Sequence, residues 1–331
     1  MLLPVYNAAH TLPAALNSLL EQTYQNFEIV AVDDGSTDDS AATLAAYAER
    51  DPRVRVLRRP HEGVVAASQA GLLDCRGAFI ARMDADDLCL PDRLARQRAV
   101  LLENPRVGVV SCKVARLADG DDRAGFEAYV QWLNRLMTPE DISNNIYVES
   151  PVANPSVMVR RADLLALGGY QERGWPEDYD LWLRYHQAGW QFAKVDAVLL
   201  HWRDAPTRLT RRDGRYSVEN FIRARAHYLL RGPLADRQTL VVWGAGQMGR
   251  RLSKHLVRGG APLVGFVDVN KAGETLLGVP VDDPETLPDR WPTLPQPLLL
   301  VAVGSNRARD IIRARLAGWG WREGATFICA A

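Results

Sequence analysis

Two aspartates two positions apart, Asp84 and Asp86 in the run MDADD, carry the strongest chemical signal in this chain. Carboxylates crowded this closely repel one another unless a cation or a solvated turn relieves them. A hard divalent ion that also holds a diphosphate, Mn2+ or Mg2+, would relieve them with oxygen ligands alone. The plainer alternative is an acidic turn before a helix, with Asp87 as its cap. A second acidic pair, Glu177-Asp178, opens the helical stretch DYDLWLR, where carboxylates also meet the helix dipole favourably. Arg184 on that stretch is a candidate phosphate ligand, and Trp182 reads as core. A third group is basic: Arg203, Arg208, Arg211, Arg212 and Arg215 cluster near His201-Trp202. Guanidinium groups suit a diphosphate, either of a donor or of an anionic acceptor, and a solvated basic face is the alternative.

The elements around these residues set their geometry. Ala78 to Ala81 reads as a buried strand, and Pro91-Asp92-Arg93-Leu94 as a helix start, so MDADD falls at the carboxyl end of a strand. Open α/β sheets bind their ligands there. Before it, Met1 to Tyr6, Phe27 to Val32 and Val54 to Leu57 read as strands, with helices expected over 11–22, 37–50 and 64–73. Another strand is expected over 107–114. Alternation at this spacing implies βαβ units, a mostly parallel sheet and an α/β fold class. Residues 115–150, with Gly120, Asp121, Asp122 and Pro139, read as polar and irregular. Such a segment is usually functional or flexible. A strand over 156–160, helices near 162–167 and 178–188, a strand over 195–202 and a helix over 218–230 complete this half.

At 331 residues the chain is long for one domain and comfortable for two. Arg231-Gly232-Pro233-Leu234 reads as the boundary, which gives domains of 1–232 and 233–331. The 40 basic and 40 acidic residues cancel, which argues against a dedicated nucleic-acid binder. Cys75, Cys89, Cys112 and Cys329 are scattered, with no metal spacing, and read as thiols in a reducing compartment. The N-terminus lacks the pattern of a signal peptide, and no apolar run approaches a membrane span of about 20 residues. Cytoplasm is the expected compartment, with peripheral membrane contact open and the oligomeric state unread.

The segments LPVYNAAHTLPAALNSLLEQTYQNFEIVAVDDGSTDDS, ARMDADDLCLPDRL, ANPSVMVRR, GGY and PEDYDLWLR, in that order, resemble family 2 inverting glycosyltransferases of the GT-A fold. The resemblance covers roughly residues 1 to 230. It implies transfer of a sugar from a nucleotide-diphosphate donor to a hydroxyl of a sugar or glycolipid acceptor, in surface polysaccharide, lipopolysaccharide or glycolipid assembly. By that resemblance Asp86 is the main metal ligand, and Asp84 binds the metal or the donor ribose. Asp33 contacts the base or ribose, Asp34 is structural, and Pro4, Val5 and Tyr6 pack on the base. Asp178 is the general base, which a poorly nucleophilic hydroxyl needs, and Glu177 positions the acceptor or the base. Arg208, Arg211 and Arg212 would then meet the donor diphosphate. Two departures stand out: few apolar residues precede LPVYN, so the strand is short or the true start lies upstream. Asn154 also stands in ANPSV, where many relatives carry His.

In the second half, VVWGAGQMGRRL sets Gly244, Gly246 and Gly249 between a strand and a helix, and Asp268 ends the next strand. That is the context of a dinucleotide fold, with phosphate at the helix N-terminus and ribose at the acid. The segment LVGFVDVN…GVPV also resembles the Rossmann-like unit of sugar O-acyltransferases and nucleotide-sugar dehydratases. A nucleotide or dinucleotide site is one reading, and a fold kept for packing or dimerisation is the other. Among rival functions, a sugar nucleotidyltransferase would need a glycine-rich basic loop that LPVYNAAHT does not supply. A non-catalytic nucleotide-sugar sensor acting through the second half is the alternative of a different class. A redox enzyme built on the same glycines is the third.

Overall fold

The computed structural model describes residues 1–118, 124–205 and 208–331, and the loop residues Gly120, Asp121 and Asp122 lie outside them. By contacts the chain divides into two compact units. One comprises Met1–Ser143, Pro151–Arg173 and Glu177–Gly214, and the other Asn144–Ser150, Gly174–Pro176 and Arg215–Ala331. The expected boundary near 232 thus falls after a helix, Val218–Arg231, that clusters with the second unit.

In the first unit, β1 (Leu2–Val5), α1 (Leu12–Leu20), β2 (Ile29–Asp33), α2 (Ser40–Arg50), β3 (Val54–Arg58) and α3 (Val64–Asp74) alternate. Next come β4 (Phe79–Ala81), β5 (Leu88–Cys89), α4 (Arg93–Glu103) and β6 (Val107–Ala118). Then follow α5 (Ala124–Arg135), α6 (Pro139–Asn145), β7 (Met158–Arg160), α7 (Arg161–Ala166), α8 (Glu177–Gln187), β8 (Gln191–Asp204) and α9 (Leu209–Arg212). β2 is buried at all five positions, as a central parallel strand covered on both faces must be. α1 buries Leu12, Ala15, Leu16 and Leu19, the apolar stripe of a helix laid on a sheet.

Strands β1, β2 and β3 form a parallel sheet, Val5 lying opposite Asp33. A second sheet, in order β4-β7-β6-β8-β5, is mixed: β6 and β8 run parallel, and the other pairs are antiparallel. A parallel bridge from Leu2 to Arg82 joins the two sheets. Because β1, β2 and the chain leaving β4 run the same way, Tyr6, Asp33 and Asp84 emerge on one edge. That edge is where parallel strands leave room for a ligand.

The segment 115–150 differs from its reading as irregular chain. β6 runs on to Ala118, and α5 and α6 account for much of the remainder. In α5, Val130 and Leu133 are buried, and Phe126, Tyr129 and Trp132 pack partly buried on the core. The helical period was present there, and the flanking Gly, Asp and Pro residues obscured it.

In the second unit, α10 (Val218–Arg231) leads to β9 (Thr239–Trp243), α11 (Gln247–Arg258), β10 (Leu263–Val267), β11 (Thr275–Leu276) and β12 (Val279–Asp282). α12 (Leu287–Arg290), β13 (Pro297–Val301), α13 (Asn306–Gly318) and β14 (Phe327–Cys329) complete it. The sheet order is β11-β12-β10-β9-β13-β14, parallel except for the β11–β12 hairpin. The strand order reverses at β9, beside which the glycine-rich turn begins. No helix among the described residues is long and apolar enough to cross a membrane.

Candidate active site

The chain leaving β4 turns sharply, the Asp87 N–H donating to the Asp84 carbonyl at 3.3 Å. Carboxylate oxygens of Asp84, Asp86 and Asp87 then lie within 4.8 Å of one another. Burial first, and then the neighbouring charge of Asp84, push the Asp86 carboxyl up to about 6, against the opposing pull of Arg208 and Arg203. Burial, and then the charges of Asp86 and Asp84, push the Asp87 carboxyl well above the usual carboxylate range. It does not cap the next helix as expected. Its Oδ1 accepts the Arg203 N–H at 2.7 Å, and α4 has Asp92 at its N-cap. The Oδ2 of Asp87 is buried and has no hydrogen-bond partner among the described residues. Arg203 Nε also donates to the Asp86 carbonyl at 2.7 Å, so β8 grips the acidic loop at two points.

Arg82 escaped the sequence reading. Its side chain is buried, and its Nη2 meets Asp84 Oδ1 at 2.9 Å. The signal was available: positions 82 and 84 share a face of extended chain.

Glu177 and Asp178 open α8, Glu177 buried and Asp178 half-buried. Burial, then the Glu177 charge and, more weakly, that of Asp84, push Asp178 up to about 7. Its Oδ1 accepts the Tyr179 N–H at 2.7 Å. Asp178 thus lies within the electrostatic field of Asp84. Farther along α8, Arg184 is committed to structure and not to a phosphate. It bonds Asp180 at 2.8 Å and the carbonyls of Leu167 and Gly169. Trp182 is core, as its helical position suggested.

At the β1 and β2 ends, Val5 is buried, Pro4 half-buried and Tyr6 exposed. The Tyr6 ring stacks on His61, centroids 3.9 Å apart and planes 15° from parallel. Asp33 Oδ1 accepts the Ser36 N–H at 3.0 Å. Asp34 accepts the N–H groups of Glu62 and Gly63 and faces His61 Nδ1 at 2.8 Å. His61 was missed because nothing in RRPHEG marks it; only the fold lays it on Tyr6.

The basic cluster separates into different roles. Arg208 lies over the rings of Phe126 and Trp202, 4.5 Å from each centroid, with its charge felt by Asp86 and Asp87. Arg211 pairs with the buried Asp204 and with the Ala205 carbonyl, and Arg116 holds the other Asp204 oxygen at 3.2 Å. Arg212 is exposed.

In the second unit a Cβ on Gly249 would fall 1.9 Å from the Gly244 carbonyl oxygen, so helix and strand meet there only through glycine. Gly244, at φ +118°, is confined by the Ala302 carbonyl oxygen, 2.7 Å from where a Cβ would fall. A Cβ on Gly246 would meet nothing within 4 Å. Asp268 accepts the Ala245 N–H at 2.8 Å and the Asn270 N–H at 3.0 Å, tying the glycine turn to the end of β10.

Known proteins share this sequence pattern and this fold. Residues 1–166 match the family described as Glycosyl transferase family 2. The amylovoran biosynthesis glycosyltransferase AmsE of Erwinia amylovora is 32% identical over 248 residues, 74% of this chain and 88% of its own. The UDP-Glc:alpha-D-GlcNAc-diphosphoundecaprenol beta-1,3-glucosyltransferase WfgD of Escherichia coli is 33% identical over 105 residues, 31% of this chain and 41% of that protein. Among solved structures, S. aureus TarS 1-349 in complex with UDP-GlcNAc matches with a TM-score of 0.56 at 20% identity, over 70% of this chain. The chain spans 66% of that structure, just under two thirds, and the likeness is one of fold, the GT-A arrangement. With half its length matched to the family and a relative aligned along most of both chains, this protein belongs to glycosyl transferase family 2 and is a glycosyltransferase.

Proposed function

We propose that the first unit is a metal-dependent, inverting glycosyltransferase that moves a sugar from a nucleotide-diphosphate donor to an acceptor hydroxyl. The observation that carries this reading is the meeting of a crowded acidic loop with a carboxyl whose affinity for a proton is tuned to neutrality. The carboxylates of Asp84 and Asp86 fit a hard divalent ion, because their mutual repulsion is what such an ion removes. Asp87 Oδ2, buried and without a hydrogen-bond partner among the described residues, adds to that demand for positive charge. Mn2+ or Mg2+ held there would stabilise charge on the leaving diphosphate without proton transfer.

The chain's own residues supply the rest. Tyr6 offers a flat exposed ring to the base, and Pro4, Val5 and Asp33 shape the strand ends beneath the base and ribose. Arg208, held by two rings, presents a guanidinium toward the diphosphate, and exposed Arg212 can reach the same anion. Arg211 serves by fixing the turn on Asp204. Asp178 takes the proton of the acceptor hydroxyl as the new bond forms, and Glu177 raises its basicity by like charge. One displacement with one base inverts the anomeric centre. A relative named for transfer onto diphosphoundecaprenol-linked GlcNAc supports a lipid-borne or growing-polysaccharide acceptor, reached from the cytoplasmic side of a membrane.

For residues 233–331 we propose a Rossmann-like nucleotide or nucleotide-sugar site at Gly244, Gly246 and Gly249. It is supported by the strand reversal at β9 and by the open space at Gly246. Asp268 there holds the turn. The deciding measurement is donor hydrolysis and binding over UDP-, GDP-, dTDP- and CMP-sugars with Mn2+ or Mg2+. Metal-dependent turnover of one donor, abolished in Asp86→Ala, with binding kept in Asp178→Asn, supports the transferase. Binding without turnover that only Gly246→Val removes would instead make the chain a sensor working through its second half.

A further inference from the structure

α11, with the sequence QMGRRLSKHLVR, carries Arg250, Arg251, Lys254 and Arg258 and no carboxylate. Its buried face is Gly249, Leu252, Ser253 and Leu256. On one flank Arg251 and His255 both bond to Glu219 of α10, at 2.7 and 2.6 Å. Arg250, Lys254 and Arg258, spaced i, i+4, i+8, are all exposed, and no ion-pair partner for them occurs among the described residues. Val257 stands among them, 43% exposed. Like charges at i, i+4 destabilise a helix, and a cation near its N-terminal end opposes the dipole. Arg258, in the last turn, suits the dipole, whereas Arg250 near the start and the repulsion between neighbouring cations of the stripe would be relieved by negative charge from outside the helix.

We propose that this stripe docks on the anionic headgroups of a lipid bilayer. Juxtaposed arginines and lysines gain from a surface of acidic lipids within a Debye length of it, and an exposed apolar side chain among them suits the headgroup boundary. The stripe is about 12 Å long, at 1.5 Å per residue. That is too short for the six or more phosphate contacts typical of tight duplex binding, and the chain as a whole has no basic excess. The proposal rests on α11 alone and does not depend on the reaction assigned to the first unit.

The test is co-sedimentation of the full chain with vesicles of phosphatidylcholine alone or with about 30% phosphatidylglycerol, at low salt and at about 1 M salt. The protein should bind only the anionic vesicles, and binding should collapse at high salt. The variant Arg250→Gln/Lys254→Gln/Arg258→Gln should lose on the order of 100-fold in partitioning, roughly fivefold for each cation removed. Its circular dichroism should match that of the wild type; if it does not, the single Arg258→Gln should still lose roughly fivefold. Unchanged binding in a folded variant, equal binding to neutral vesicles, absence of binding, or tighter binding to duplex RNA than to the anionic vesicles would each overturn the proposal.

Discussion

The guanidinium of Arg82 holds Asp84 through Nη2 and Oδ1 at 2.9 Å, the arginine buried and the aspartate one-third exposed. The buried Tyr170 hydroxyl, pushed up to about 12 by burial, feels Arg82, Glu177 and Asp84 together. A buried cation thus lies where the acidic loop and the acidic pair meet. It fixes one oxygen of Asp84 and leaves the other for a ligand. Replacing it with Gln should cost about 2 kcal/mol of transition-state stabilisation, a typical loss for a charged hydrogen bond. Arg82→Lys should recover part of kcat if charge matters, and little if the planar geometry matters. Steady-state kinetics beside melting curves separate this from simple unfolding.

Crowding in the acidic loop has a signed consequence for stability. The folded state raises the Asp86 carboxyl from the ordinary 3.8 to about 6, so the native protein binds a proton that the unfolded chain releases. Stability of the metal-free protein should therefore be highest below pH 4 as far as this group is concerned. It should fall as pH rises from about 4 to about 6, by roughly 1–3 kcal/mol. Asp86→Asn should raise the metal-free Tm at pH 7. Mn2+ should raise the Tm of wild type, and that increment should vanish in the variant.

A base lifted to about 7 predicts a rate that climbs with pH through neutrality, because only ionised Asp178 accepts the proton. Asp178→Asn should lower kcat by about 100-fold or more and remove that limb. Removing the neighbouring charge with Glu177→Gln should let Asp178 ionise sooner and move the limb to lower pH. A limb that stays put would remove Glu177 from that role.

Two arginines three positions apart should respond oppositely. Arg211 is tied to Asp204, a buried carboxylate shared with Arg116, so Arg211→Ala should cost about 1–3 kcal/mol of stability. Arg208 has ring contacts worth about 0.5–2 kcal/mol and, among the described residues, no carboxylate bond of that kind. Arg208→Ala should raise the donor KM on the order of tenfold, about 1.4 kcal/mol, with little change in Tm. Donor titrations and thermal melts of both variants decide it.

The glycines of the second unit divide the same way. Gly249→Ala puts a Cβ 1.9 Å from a carbonyl oxygen and should destabilise by about 3 kcal/mol or more. Gly246→Ala, with open space and φ −74°, should change stability by no more than about 0.5 kcal/mol. Denaturant melts check both, and loss of nucleotide binding in Gly246→Val would give that glycine its functional reason.

Much of the fold was legible because its signals are local. The apolar period of 12, 16 and 19 marks α1, the run 29–33 marks β2, and the glycine spacing at 244, 246 and 249 marks the turn before α11. α5 and α6 were hidden because Gly, Asp and Pro at their ends outweighed a helical period that was there to read. Arg184 and Arg211 looked like phosphate ligands because a sequence reports charge and not the partner that neutralises it. Asp180 is one turn away from Arg184 and was in plain view; Asp204 required the turn after β8 to fold back.

By itself the sequence marked which side chains could do chemistry: the carboxylates at 84, 86, 177 and 178, and the strand ends that carry Tyr6 and Asp33. Only the tertiary structure decided that Asp84 lies within the field of Asp178, that Arg82 is buried beside it, and that His61 stacks on Tyr6. The reason is physical. Residue type and periodicity are properties of neighbouring residues, whereas ionisation, ring stacking and ion pairing depend on which distant segments burial brings within a few ångströms.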